Sequence, residues 1–179
     1  RFQEFFSSFY ILEHYRRDRS VLPQNMFTNL FWRETALFVA GLDNNVDDFI
    51  NIIVQERNQY DIQNPFIKKI LRLEMTILAF ECIFGSLKFD NDVLYTNIRN
   101  DLMQEYYRGD TLVKAKILTA FRLDKSDEAV GLFQNALKDS SLWVSERAFF
   151  ILSDEKIKFQ MNPRSILSEY IRFFIEGRL

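Results

Sequence analysis

Glycine and proline are scarce: the chain of 179 residues holds five glycines and three prolines, where an average protein of this length carries about 20. The shortage excludes a collagenous or linker-rich chain and argues against the many tight turns of a sandwich or barrel. It also removes the phosphate-cradling motifs. Gly41, Gly85, Gly109, Gly131 and Gly177 lie too far apart for a GxxxxGK or GxGxxG loop, so nucleotide binding by either glycine-rich route is excluded for these residues. Histidine and cysteine occur once each, as His14 and Cys82. A lone cysteine forms no internal disulfide, which fits a reducing, cytoplasmic setting. No uncharged stretch reaches the roughly 20 residues of a bilayer span, and no signal-peptide pattern opens the chain. The chain begins at Arg1 with an apolar helical face already under way at Phe2, which reads as a piece of a longer protein.

Hydrophobic residues are plentiful, at 47%, with 19 phenylalanines, ample for a core in one domain spanning 1–179. Their spacing is helical. Phe2, Phe5, Phe6, Phe9 and Leu12 predict the inner face of a first helix. A second runs from about Met26 to Ala40 and stops at Gly41, suited to the left-handed C-terminal position. Val46 to Arg57 forms a third, with Phe49, Ile50 and Ile53 inward. Asn64-Pro65, a capping side chain followed by proline at the first helical position, opens the clearest helix. There Phe66, Ile70, Leu73, Ile77, Phe80 and Phe84 make one apolar stripe and Ile67, Leu71, Leu78 and Cys82 a second. Asp90 or Asp92 caps a helix through Leu102, and Gly109-Asp110 restarts the chain into Leu112 to Leu123. Ser126-Asp127 opens Ala129 to Leu137, Ser140-Ser141 opens Leu142 to Leu152, and Asn162-Pro163 opens the last. The expectation is an all-α chain of about nine helices. Ala40, Ala79, Ala120 and Ala148 recur in related strings at spacings of 39, 41 and 28 residues. A period near 40 with two helices per unit is the mark of HEAT or armadillo hairpins stacked as a short, irregular α-solenoid. A plain helical bundle shares the composition.

Reactive chemistry finds little material. His14 stands without a second histidine or a cysteine cluster and reads as a helix-end residue favoured by the dipole. Cys82, on an apolar stripe with no basic partner one turn away, reads as a structural thiol. Asp43-Asn44-Asn45-Val46-Asp47-Asp48 fails as a calcium loop, because its sixth position is Asp48 rather than glycine and its twelfth is Val54 rather than a carboxylate. It reads as a capping turn. Asp47-Asp48-Phe49-Ile50-Asn51 resembles the aspartate-rich magnesium motif of helical isoprenoid synthases, but the fifth position is Asn51 and no second metal-binding string follows. Arg108-Gly109-Asp110 spells an adhesion tripeptide and reads as a turn. No GxSxG elbow is present. No catalytic residue, metal or cofactor is therefore expected. Two basic clusters, Arg16, Arg17 and Arg19, and Lys68, Lys69 and Arg72, are the candidates for contact with an anionic partner. The formal charge of −2 weighs against nucleic acid.

Phe2-Gln3-Glu4-Phe5-Phe6-Ser7-Ser8 resembles a Phe-Gln-Glu string found late in NACHT-type NTPases of the STAND class, in the helical region after the nucleotide-binding and winged-helix modules. About 25 residues on, Trp32-Arg33-Glu34-Thr35-Ala36-Leu37-Phe38-Val39-Ala40-Gly41-Leu42 is similar to that family's tryptophan, acidic residue and apolar run ending in Ala-Gly-Leu. Ser7 and Ser8 replace the usual alanines. The resemblance covers Phe2 to about Ile53, and its motif residues here are Phe2, Gln3, Glu4, Phe5, Trp32, Glu34 and Gly41. It implies the C-terminal helical-repeat region of a signalling NTPase, without the motor. Such regions commonly sense a trigger or hold the protein closed, and bacterial members often act in defence against phage. The implied partners are proteins or other domains of the parent chain. The alternatives are a free-standing HEAT-like scaffold and a HEAT-like protein that binds or repairs DNA.

Overall fold

The computed structural model describes residues 2–23 and 25–153, and among them the regular structure is helical throughout, with no strand. Eight α-helices follow in order: α1 (Phe2–His14), α2 (Leu30–Leu42), α3 (Asp47–Gln59), α4 (Pro65–Gly85), α5 (Asp92–Arg108), α6 (Thr111–Phe121), α7 (Asp127–Ala136) and α8 (Leu142–Ser153). One 3-10 turn, Arg19–Val21, lies between α1 and α2. The helix expected from Asn162-Pro163 lies outside the described residues. The chain divides within α5 into two compact units, residues 1–104 and 105–179.

Local signals set most boundaries. Asn64 Oδ1 accepts from the Phe66 and Ile67 amides at 3.0 and 3.1 Å, with Pro65 at the first position of α4. Asp110 caps α6 through the Val113 amide, and Ser126 caps α7 through that of Ala129. Two expectations are corrected. Neither Asp90 nor Asp92 caps α5; Asn91 does, accepting from the Leu94 amide at 3.0 Å. The second helix starts at Leu30 rather than Met26, because Asn29 Oδ1 captures the Phe31 amide and the residues before it form turns, with Asn25 in the left-handed region at φ 60°.

In the first unit α1 packs on α2, α2 on α4, and α3 on α4. Gln3, Glu4, Phe6 and Ser7 face Phe31, Trp32 and Thr35, and Tyr15, just past α1, reaches Asp43, just past α2. The two helices therefore run in the same sense. α4 runs in that sense too: Arg33 pairs with Glu81, the Cys82 thiol lies 3.9 Å from the Ala36 carbonyl, and Gly41 approaches Gly85. α3 returns antiparallel to α4, and the Arg72 guanidinium donates to the Arg57 and Asn58 carbonyls at its C-terminal end. Ala36, Gly41, Cys82 and Gly85 thus lie on the seam between α2 and α4. Gly41 does not take the left-handed conformation: the helix continues through Leu42, and a Cβ at Gly41 would stand 3.3 Å from the Gly85 carbonyl.

The buried stripes differ from expectation at two ends. On α1 the core face is Ser8, Ile11 and, just beyond, Tyr15, while Phe6 and Phe9 are exposed. Serine can lead the buried face because its hydroxyl donates to the Phe5 carbonyl at 2.6 Å and leaves no polar group unpaired. On α4 burial begins at Leu73, so Phe66 (71% exposed) and Ile70 stand outside the core.

In the second unit α8 packs against both α6 and α7, with Leu118, Phe121, Phe133, Val144 and Ala148 wholly or nearly wholly buried. Lys114 reaches Asp139 at 2.7 Å and lies 5.7 Å from the Tyr106 ring centroid, while Asp139 also accepts from the Ser141 amide at 2.9 Å.

Candidate functional site

Because α1 and α2 run in the same sense, their N-terminal turns open side by side. Between them is a groove of about 450 Å³ lined by Gln3, Glu4, Phe6, Ser7, Phe31, Trp32 and Thr35. Its walls are aromatic: Phe31 and Trp32 meet edge to face at 5.4 Å. Behind it Phe5 packs edge-on against Phe9 at 4.8 Å and Phe38 at 5.9 Å, fixing the spacing of the two helices. Phe6 is 67% and Phe31 62% exposed, and Phe9 and Tyr10 continue the aromatic surface along α1. Thr35 is wholly buried, and its hydroxyl has no hydrogen-bond partner among the described residues. Unpaired buried hydroxyls are uncommon and cost about 1–3 kcal/mol.

The motif residues separate into groups. Gln3, Glu4 and Trp32 come together in the groove. Phe5 turns to the packing behind it, Glu34 is exposed, Gly41 serves the α2–α4 seam, and Phe2 begins α1.

The basic residues are mostly engaged internally. Arg16 bonds the Asp43 carboxylate at 2.5 Å and the Asn45 carbonyl at 2.8 Å. Arg19 donates to Gln55 at 3.1 Å, and Arg17 is exposed. Lys68 pairs with Asp61 at 2.8 Å and holds that carboxyl below its ordinary range. Arg72 is committed to the end of α3, and Lys69, exposed beside it, also has a partner. Arg72 also lies close enough to Asp61 to add to the lowering of its carboxyl.

The other polar groups serve the fold. Asp43 is nearly fully buried and takes hydrogen bonds from the Tyr15 hydroxyl at 2.5 Å, from Arg16, and from the Asn45 amide at 2.9 Å. Burial, and then the neighbouring Asp43, push the Tyr15 hydroxyl far up, so it remains a donor. In the sequence Asp43 reads as the first position of a failed calcium loop and as part of a capping turn, and no motif marks Tyr15 or Thr35 as a site. Nothing in their local patterns marks a partner 28 residues away. His14 donates through Nδ1 to the Tyr10 carbonyl at 2.9 Å and stacks on the Tyr10 ring. Burial raises the Cys82 thiol well above its ordinary range, leaving it protonated. Among the described residues no three His, Cys, Asp or Glu side chains converge as metal ligands, and no helix is long and apolar enough to cross a membrane.

What this arrangement offers is a concave, aromatic-walled surface with a few polar groups at its floor, a form suited to binding. No protein-family model, curated protein or solved structure matches the chain.

Proposed function

We infer that this chain is a recognition and regulatory region of stacked, HEAT-like helices from a NACHT-type signalling NTPase. The groove between α1 and α2 holds a ligand, a protein partner or another part of the parent chain, and through it the motor is kept closed. One observation carries the reading. The two motif strings are about 25 residues apart in sequence, yet Gln3 and Glu4 of the first and Trp32 of the second line one groove. The shared direction of α2 and α4, with α3 between them in the chain returning antiparallel, supports the stacked arrangement, since alternate helices of a solenoid run alike; α1, which precedes α2 and runs parallel to it, departs from that alternation. A protonated, buried Cys82 and a His14 held by a backbone carbonyl support a non-catalytic role. The lone cysteine fits a cytoplasmic setting, and antiphage signalling is the biological context the resemblance suggests.

The test is the open reading frame around this chain. A Walker A motif and an acidic Walker B strand a few hundred residues upstream of Arg1 are expected. A start codon at or just before Arg1 would overturn the reading and leave a free-standing scaffold using the same groove. DNA binding has less support, because Arg16, Arg19, Lys68 and Arg72 already hold internal partners. A gel shift at low salt that fades as salt is added would restore it.

A further inference from the structure

We draw no further inference here: the strongest candidate, the aromatic-walled groove between α1 and α2 lined by Phe6, Phe31, Trp32 and Thr35, belongs to the site already described, and nothing in the structure shows what covers it.

Discussion

Substituting Asp43 tests how the first unit is fastened. Its buried carboxylate ties the residue after α1 to the turn after α2 by accepting from the Tyr15 hydroxyl, the Arg16 guanidinium and the Asn45 amide. Asp43→Ala takes away the acceptor of the buried Tyr15 O–H, whose oxygen keeps only the 3.3 Å bond it accepts from Arg16 Nε, a penalty of about 1–3 kcal/mol. The Asn45 amide loses its acceptor, worth about 1 kcal/mol more. Arg16, with 45% of its side chain exposed, adds less than about 1 kcal/mol because solvent screens it. A loss of about 2–5 kcal/mol is therefore expected, a large share of the 5–15 kcal/mol of an ordinary domain. Tyr15→Phe alone should be milder, since Asp43 keeps its other donors. In the double variant no hydroxyl is stranded, so the combined loss should fall short of the sum by about 1–3 kcal/mol. Urea denaturation followed by circular dichroism on the four proteins of the cycle measures this. Losses that add within about 0.5 kcal/mol would refute the clasp.

The other predictions concern the second unit. A Cβ at Gly109 would meet the Val113 side chain at 2.5 Å and the Glu105 carbonyl at 2.7 Å, so Gly109→Ala forces backbone to move and should cost about 1–3 kcal/mol, read as a lower denaturation midpoint. The Tyr106 hydroxyl is pushed up to about 12, first by burial and then by the charge of Asp139. Folded Tyr106 thus holds its proton after the unfolded chain has lost it. Its contribution is complete below pH 10 and is lost between about 10 and 12, roughly 2–3 kcal/mol in all. Tyr106→Phe should flatten the alkaline fall in stability, and an unchanged slope would refute the assignment.

The helices were legible because period and capping are local. Asn64-Pro65 is one sentence of chain in which cap, proline and amphipathic run agree, and α4 begins there. The face a helix buries is not local. Phe6 and Phe9 read as core because they are phenylalanine, yet α1 turns Ser8 and Ile11 inward, a choice made by its fit against α2 and by a serine that satisfies itself. Gly41 looked like a helix stop and proved to be a point of close approach, a role that depends on α4, some 40 residues on. The groove was legible only as two strings; that Gln3, Glu4 and Trp32 meet, with Thr35 unpaired beneath, follows from α1 and α2 running in the same sense, which no local pattern encodes.

Nucleotide turnover by the proposed parent NTPase tests the central claim most directly. With Phe31→Ala or Trp32→Ala in the groove, the resting rate should rise by about fivefold or more, the low end of ordinary coupling between sites, while Phe66→Ala, equally exposed on α4, should leave it unchanged. A resting rate indifferent to the groove, or one that Phe66→Ala raises just as much, would contradict the account.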